Sequence, residues 1–373
     1  MQKIKILQIT KFFYPHFGGM EKVTRDINLG LKEKINMKVL TCQVKGKGNN
    51  EIIDDVEIFR ASSIGVYFSV PISFTFPFLL KKLSNDRDIL HFHLPFPLAV
   101  MSYLLVRPKG KIVVWWHSDI LRPKYLYKLL YKPFLRRFLN KVDKIIVATP
   151  LHIKNSDILR DFEDKCEVIP YGIDIEQFNF TDEIKEKVEK IRGEYGPQII
   201  LFVGRLIYYK GLEYLIQAMK GVDAKLLIIG EGYLKENLQK LVDKLKIENK
   251  VFFLGRVGNS GIVAYYYACD IFVLPSNEKT EAFGLVQLEA MACGKPVINT
   301  NLPTGVPYVS QDKVTGLTVP VKDFEALVNA INKLLNNPNL RKKYGENGKR
   351  RVEKEFTKKL MIKKTFNIYK QLI

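Results

Sequence analysis

The stretch Glu281-Ala282-Phe283-Gly284-Leu285-Val286-Gln287-Leu288-Glu289 sets two carboxylates around a Phe-Gly step. The apolar residues that follow predict a short helix, and Gly294 lies where a helix-ending glycine is expected. Phe283-Gly284 is typical of a helix entrance, where backbone N–H groups and the helix dipole favour an anion. Glu281 would precede this entrance and Glu289 would follow it by one to two turns. The stretch therefore predicts a ligand in which sugar hydroxyls are joined to a diphosphate.

Length and composition indicate a globular protein of two domains. The chain has 373 residues, 47% of them hydrophobic, which is long for a single core. Its four cysteines are scattered and show no C-x-x-C spacing; they are Cys42, Cys166, Cys269 and Cys293. This pattern argues against zinc and against a disulfide framework, and it suits a reducing cytosol.

The beginning of the chain predicts a strand and not a signal peptide, because Met1 to Leu7 contains no long apolar region or cleavage site. Nowhere does the sequence contain 18 consecutive apolar residues; the apolar run from 66 to 80 is interrupted by serine, threonine and proline. We therefore expect a soluble or peripheral protein that does not span a membrane.

The formal net charge of +20 requires an explanation. Nucleic acid, an anionic membrane surface and a phosphorylated substrate are all candidate partners. Residues 101–145 hold 11 lysines and arginines against 2 aspartates, and aromatic residues interleave with the cations in 122–140. The cations proposed to face a membrane or acceptor are Lys124, Lys128, Lys132, Arg136 and Arg137. Two interpretations stay open, a helix on an anionic bilayer and a core-packed helix with a solvated basic face. No recognised nucleic-acid-binding module accompanies the charge.

The first half of the chain alternates short strands with helical or loop segments. A strand over 3–10 leads to Gly18-Gly19 and a helix, and further strands are predicted over 37–44, 56–60, 89–93, 111–116 and 144–148. Such alternation is typical of a parallel sheet with helices on both faces, in which ligands bind at the carboxyl ends of the strands. Taken alone, Gly18-Gly19 favours a plain tight turn over a ligand loop.

Histidines follow two of these strands. His117 stands with Ser118 and Asp119 at one strand end, which makes it the better candidate for a site residue. We expect at most one of His91 and His93 to face the ligand side, and neither to bind a metal.

A second α/β series begins after a polar segment, and the domain boundary is expected between 170 and 195. The strand over 199–204 opens into a loop with Arg205 and Lys210, a pair of cations suited to a diphosphate. The next strand ends at Gly230, which permits close backbone approach, and another leads to Arg256-Val257. From 322 onward the chain is predicted to be helical.

These motifs together resemble the retaining glycosyltransferases of family 4. The matching residues are Gly18-Gly19-Met20-Glu21, His117, Pro170-Tyr171-Gly172-Ile173-Asp174, Gly204-Arg205 with Lys210-Gly211, Gly230-Glu231-Gly232, and Glu281 to Glu289. The resemblance covers essentially the whole chain in the order of the family. It implies the α/β architecture called GT-B, with two Rossmann-like domains whose parallel sheets face each other across a cleft. The acceptor-side domain would be 1–175, joined by a final helix over 356–373, and 176–355 would bind the nucleotide sugar.

The resemblance also implies roles for single residues. Arg205 and Lys210 would hold the donor diphosphate, Glu281 the sugar hydroxyls and Glu289 the ribose, while His117 would lie beside the transferred sugar. The catalytic set is then Glu281, His117, Arg205 and Lys210. Further donor contacts are implied at Gly18, Gly19, Gly230, Arg256, Val257, Ala282, Phe283, Gly284 and Leu285. No cofactor and no metal are expected.

The nearest likeness is to mannosyltransferases of polysaccharide and O-antigen assembly, which makes GDP-mannose the first donor and a UDP-sugar the second. The acceptor would be a lipid-linked glycan or polysaccharide at the inner face of the cell membrane. Three alternatives remain: another GT-B enzyme with a soluble acceptor, a basic nucleic-acid-binding protein, and a catalytically inactive glycan-binding scaffold.

Overall fold

A computed structural model describes residues 3–16, 18–119 and 131–373. The chain divides into two units. Unit 1 comprises Met1–Tyr171 together with Lys358–Ile373, and unit 2 comprises Gly172–Thr357.

Unit 1 is built on an eight-stranded sheet with the order β10-β9-β8-β7-β1-β2-β4-β3. All neighbouring strands are parallel except β3, which runs antiparallel to β4 at the edge. A separate hairpin consists of β5 and β6. The strands are β1 (Ile4–Ile9), β2 (Ile35–Cys42), β3 (Asn49–Ile53), β4 (Val56–Ala61), β5 (Gly65–Tyr67), β6 (Val70–Ile72), β7 (Ile89–Leu94), β8 (Lys111–Trp116), β9 (Lys144–Val147) and β10 (Cys166–Val168).

Helices connect these strands, as the alternating pattern predicts. They are α1 (Gly19–Leu31), α2 (Phe76–Ser84), α3 (Pro97–Val106), α4 (Lys132–Leu139) and α5 (Pro150–Asn155). Helix α1 buries Val23, Ile27 and Leu31, an i, i+4, i+8 stripe that packs on the sheet. Every residue of β7 is buried, because a central parallel strand is covered on both faces.

The strand order of unit 1 reverses between β1 and β7. Strand β2 lies on one side of β1 and β7 on the other. This topological switch point leaves a crevice outside the carboxyl ends of the two strands, where α/β sheets bind ligands. Gly18 and Gly19 follow β1 and begin α1.

The premise that His91 and His93 point to opposite faces of the sheet is wrong. Residues i and i+2 of a strand share a face, and the two rings stack with centroids 4.6 Å apart. Both side chains are fully buried.

Unit 2 contains a six-stranded, all-parallel sheet with the order β13-β12-β11-β14-β15-β16. Its strands are β11 (Ile199–Val203), β12 (Lys225–Ile229), β13 (Val251–Gly255), β14 (Ile271–Leu274), β15 (Val297–Thr300) and β16 (Gly316–Val319). Its helices are α6 (Asp182–Tyr195), α7 (Leu212–Ala218), α8 (Lys235–Leu245), α9 (Asn259–Ala268), α10 (Leu285–Ala292), α11 (Val306–Val309), α12 (Phe324–Leu335) and α13 (Pro338–Glu355).

Several helices of unit 2 begin at capping side chains that the sequence supplies. Thr181 accepts a hydrogen bond from the Ile184 amide at the start of α6, and Asp323 and Asn337 cap α12 and α13 in the same way. The last helix, α14 (Lys358–Leu372), belongs to unit 1, where it packs against α1.

Candidate functional site

The central feature of unit 2 is the switch point between β11 and β14, the two neighbours at which the strand order reverses. The loop after β11 carries Arg205 and Lys210, and the loop after β14 carries Ser276 and Glu281. Because both strands end at the same edge of the sheet, residues far apart in sequence meet there.

Lys210 and Glu281 form a buried ion pair at this edge. The Lys210 ammonium donates to Oε2 of Glu281, and the Ser276 hydroxyl donates to the same oxygen at 3.0 Å. The two charged residues are only 8% and 9% exposed. Among the described residues, none donates a hydrogen bond to Oε1 of Glu281, so this oxygen can accept a hydroxyl. A buried ion pair adds little to the free energy of folding, because both charges lose their hydration. Buried charges of this kind are expected where they bind a ligand.

Arg205 lies on the same loop and is exposed. Its guanidinium donates to the Tyr209 hydroxyl at 2.9 Å, and the Tyr209 ring is 5.6 Å from the Lys210 ammonium. Tyr209 therefore contacts both cations of the loop. The result is a second positive charge beside the buried one, facing solvent and available to an anion.

Glycines bring the ends of β11, β12 and β13 close together. Gly230 has φ +142°, and a Cβ built on it would overlap the Gly204 carbonyl oxygen. Its amide donates to the Gly255 carbonyl at 2.8 Å. Only glycine permits this approach. Beyond Gly255 follow Arg256, which is exposed, and Val257, which is half-buried.

Helix α10 begins directly after Gly284, whose φ of +73° turns the chain into the helix. A Cβ at this position would come within 2.7 Å of the Gln287 side-chain nitrogen. Phe283 is buried, and Ala282 and Leu285 are half-buried on either side. The first N–H groups of a helix have no acceptor within the helix, so the start of α10, four residues after Glu281, is a place where an anion can bind.

A buried network of side-chain hydrogen bonds stabilises this turn. Gln287 donates to the carbonyl oxygens of Phe283 and Val306, and it accepts from the Asn299 amide at 2.8 Å. Thr300 donates to the Ser276 carbonyl. Sequence reasoning missed these residues, although polar Asn299 and Thr300 in the otherwise apolar strand β15 are a signal that could have found them.

Glu289 lies in the second turn of α10 and is held by Tyr266. The Tyr266 hydroxyl donates to Oε2 of Glu289 at 2.7 Å. Burial, reinforced by the Glu289 carboxylate, raises the pKa of Tyr266 well above its usual value, so the hydroxyl remains a donor at every physiological pH. Sequence reasoning named Glu289 but not this partner.

Helix α13 lies against the far end of α10 through two glycines. A Cβ at Gly345 would overlap the Gly294 carbonyl oxygen, and one at Gly348 would come within 3.1 Å of the Met291 side chain. The helix behind the site therefore approaches α10 backbone to backbone.

In unit 1 the predicted residues occupy two strand ends. Gly18 caps α1 in an extended conformation, and the buried Glu21 carboxylate lies against it, where a Cβ on Gly18 would be. His117 follows β8, which β7 separates from β1. Unit 1 thus places the Gly18-Gly19 turn and His117 on separate strands of one sheet edge.

His117 belongs to a buried, directional chain of hydrogen bonds. Oε1 of Gln8 is an acceptor 3.2 Å from Nε2 of His93, so this nitrogen carries the proton and Nδ1 of His93 accepts. Nε2 of His117 must then donate to His93 at 3.0 Å, which leaves Nδ1 of His117 to accept from the Tyr171 hydroxyl at 2.7 Å. Both ring nitrogens are engaged. The side chain is fixed as one tautomer and positions the end of β8.

Burial keeps these rings neutral. It lowers the pKa of His117 and of His91 to about 3, and the pKa of His93 falls well below its usual value for the same reason. Nδ1 of His91 lies 2.6 Å from the Tyr369 hydroxyl on α14.

The predicted basic helix is described only from 131 onward. Lys124 and Lys128 lie outside the described residues. In α4, Lys132 is half-buried, Arg136 forms an ion pair with Asp161, and Arg137 is exposed. The apolar side of α4 packs into the core through Leu135, Phe138 and Leu139.

In the described part of the chain, no three histidine, cysteine, aspartate or glutamate side chains cluster as metal ligands. None of its helices is long and apolar enough to cross a membrane.

Comparison with known families gives two adjoining matches. The family Glycosyl transferases group 1 matches residues 183–351, and the family Glycosyltransferase Family 4 matches residues 17–177.

Two relatives align with both matched regions, one of them over nearly the full length. The O-antigen chain mannosyltransferase C of Escherichia coli is 33% identical over 372 residues, which cover 99% of both chains. The D-rhamnosyltransferase WbpZ of Pseudomonas aeruginosa is 35% identical over 277 residues, or 74% of this chain and 72% of the relative.

Solved structures agree in fold. The Anabaena protein HepE in complex with UDP superimposes with a TM-score of 0.78 at 19% identity, covering 99% of this chain and all of that one. Sucrose-phosphate synthase from Thermosynechococcus elongatus gives 0.80 at 22% identity, covering 99% of each chain.

Proposed function

Because this chain belongs to glycosyltransferase family 4 and has the GT-B fold, we propose that it moves mannose from GDP-mannose to a glycan acceptor with retention of configuration. It is a glycosyltransferase homologous to a mannosyltransferase of O-antigen synthesis. The observation that carries the donor-site proposal is the buried Lys210–Glu281 pair at the switch point of unit 2. The choice of mannose rests on the similarity to the O-antigen chain mannosyltransferase.

The charges of unit 2 divide naturally between the parts of a nucleotide sugar. Lys210 and the exposed Arg205 supply positive charge for a diphosphate, and the amides at the start of α10 add donors. The Oε1 atom of Glu281 accepts a sugar hydroxyl, while Glu289, held by Tyr266, accepts from the ribose. The Gly230 turn and the backbone at Arg256 and Val257 would meet the base.

In the proposed reaction the bond between the sugar C1 and the diphosphate oxygen breaks, and an acceptor hydroxyl attacks C1 from the same face. Its proton passes to the departing phosphate oxygen. Lys210 and Arg205 stabilise the negative charge that builds on the leaving group. Glu281 is committed to Lys210 and Ser276, which suits a residue that orients hydroxyls and not a nucleophile. We propose that these two cations make a metal unnecessary.

The assignments in unit 1 remain predictions. Gly18 and Gly19 are proposed to contact the donor, and His117 to lie beside the transferred sugar. The hydrogen-bond chain through His93 and Tyr171 supports a positioning role for His117. We also propose the domain roles that the family resemblance implies. Residues 1–175 with the final helix would bind the acceptor, and residues 176–355 would bind the donor.

A UDP-sugar is the second candidate donor, since HepE was crystallised with UDP and with UDP-glucose. Thermal shift with a panel of GDP-mannose, GDP-D-rhamnose and UDP-glucose separates the candidates, because a ligand that binds only the folded state raises the melting temperature by mass action. Transfer assays with and without excess EDTA follow on the donor that binds. A shift with UDP-glucose alone rejects GDP-mannose, and loss of transfer in EDTA rejects metal independence.

For the acceptor we propose a lipid-linked glycan or polysaccharide at the inner face of the cell membrane. Support comes from the relatives in O-antigen and polysaccharide synthesis and from the exposed Arg137 and neighbouring Lys132. Nucleic acid is not a proposed partner. Tight binding of single-stranded or duplex nucleic acid at about 0.15 M salt, without binding of nucleotide sugars, would overturn this view.

A further inference from the structure

Unit 1 exposes a run of large apolar side chains that its fold does not use. We name residues 64–78 the aromatic hairpin; it contains β5, β6 and the start of α2. Phe68 is 80% exposed, Phe74 73% and Phe78 75%, and Ile64 and Tyr67 are also exposed. So many exposed apolar side chains within one short segment are unusual, and exposed apolar patches mark interaction sites.

The two residues at the tip of the hairpin are unfavourable for the backbone conformation that they adopt. Phe68 and Ser69 are the two turn residues between β5 and β6, and their φ angles are +48° and +63°. Such a turn favours Asn-Gly, because most other residues are strained at positive φ. A phenylalanine at this position has a conformational cost, and because its side chain is 80% exposed, packing offsets little of that cost. An outlier of this kind points to a function at the tip.

Positive charge predominates in the sequence around the hairpin. Between residues 61 and 118 the sequence has six lysines and arginines and only two aspartates, Asp86 and Asp88. Asp86 pairs with Arg87, and Asp88 accepts from the Lys5 amide. On α2, Lys81 and Lys82 are exposed and lie three and four positions after Phe78, so they share its helix face.

Neighbouring α3 also exposes apolar side chains. It packs against β6 and α2, and its Met101 and Leu105 are exposed one turn apart. Apolar side chains next to cations, with few acidic residues nearby, match an anionic bilayer, whose acyl boundary takes the apolar groups and whose headgroups take the cations.

We propose that the aromatic hairpin docks this chain on an anionic phospholipid bilayer, with Phe68, Phe74 and Phe78 entering the headgroup–acyl boundary and Lys81 and Lys82 contacting headgroups. This deepens the membrane part of the proposed function and assigns it to a surface other than α4. Insertion of a few rings gives reversible binding, as expected for a protein that meets lipid-linked acceptors by lateral encounter.

The test uses the full chain and vesicle co-sedimentation. Vesicles contain phosphatidylcholine alone or with about 30 mol % phosphatidylglycerol. Wild-type protein should bind the anionic vesicles. Phe68→Ser should weaken binding roughly tenfold, and F68S/F74S roughly a hundredfold, since each buried ring contributes about one decade. Lys81→Gln with Lys82→Gln should remove most of the preference for phosphatidylglycerol.

Ile52→Ser is the matched control. Ile52 is 74% exposed on β3, the edge strand of the same unit, outside the aromatic hairpin. This variant should bind vesicles like wild type. A Phe68→Trp variant gives a second readout, because its exposed indole should be quenched by brominated lipid.

The outcomes separate this proposal from the donor assignment. A donor-induced thermal shift retained in F68S/F74S, together with lost vesicle binding, supports the proposal. Vesicle binding equal to wild type in F68S/F74S overturns it, as does equal loss in Ile52→Ser. If sedimentation velocity shows a wild-type dimer that F68S/F74S abolishes while vesicle binding persists, the surface binds a second copy and the proposal is wrong. Absence of any donor shift in wild type would reject the proposed function and leave the membrane result standing.

Discussion

The buried pair of Lys210 and Glu281 allows a test that separates stability from activity. Glu281 is 9% exposed in the wild-type protein. In Lys210→Met its carboxylate would keep Ser276 as the remaining described donor. Breaking a buried pair from one side costs about 3–5 kcal/mol, because the other charge stays buried without its partner. That is a large part of the about 5–15 kcal/mol that stabilises a typical domain. Glu281→Gln should be costly for the same reason, since the lysine then loses its carboxylate.

The double variant Lys210→Met/Glu281→Gln should be less destabilised than the sum of the two single variants. We expect a coupling energy of about 2–3 kcal/mol. Urea unfolding should be followed by far-UV circular dichroism, which reports the helices and strands of both units. Tryptophan fluorescence reports only unit 1, because the two tryptophans are Trp115 and Trp116. The fluorescence transition therefore serves as an internal reference for unit 1.

An exposed pair in the same unit gives the control. Lys187 and Glu183 are four residues apart on α6, with side chains 38% and 73% exposed. The same double cycle there should give a coupling energy of about 0.5 kcal/mol or less. Additive effects at Lys210 and Glu281 would refute the reasoning about the pair. A double variant that folds and retains near-normal transfer would refute its place in the site.

Three further results are expected. Burial lowers the pKa of His117 to about 3, so below about pH 6.5 the unfolded chain takes up a proton on this ring while the folded chain does not. This ring alone should therefore reduce the free energy of unfolding by about 2 kcal/mol between pH 7 and pH 5. Urea melts of His117→Asn should show a shallower dependence of that free energy on pH. Gly230→Ala should destabilise by about 2 kcal/mol or more in urea melts, whereas exposed Gly193→Ala on α6 should stabilise by about 0.5–1 kcal/mol. Tyr266→Phe should raise the KM for the donor about tenfold with little change in kcat, because Glu289 loses the hydrogen bond from the Tyr266 hydroxyl. An unchanged KM would contradict the assignment of Glu289 to the ribose.

Local patterns predicted much of the secondary structure. The strand over 111–116 has the predicted bounds, and the Phe283-Gly284 step does begin a helix, because positive φ at a glycine is a local property. The α/β alternation likewise predicted parallel sheets, and the family resemblance is confirmed by the matches.

Contacts between residues far apart in the chain could not be predicted from the sequence. Lys210 and Glu281 were assigned to separate parts of the ligand, yet they pair directly, because the switch point joins loops 71 residues apart. The hairpin of β5 and β6 was overlooked, since its turn residues Phe68 and Ser69 carry no turn signal. Periodicity describes one element at a time, and these features depend on how elements meet or on a local conformation that the residues disfavour.

The two glycines of α13 that face α10 have a consequence for building chimeric enzymes. Because Gly345 and Gly348 let the two helices approach closely, the segment with Glu281 and Glu289 is shaped together with a helix about 60 residues later in the chain. Exchanging 281–294 alone between relatives would set a foreign helix against an unmatched surface. A transplant meant to change the donor should therefore carry 338–355 with it.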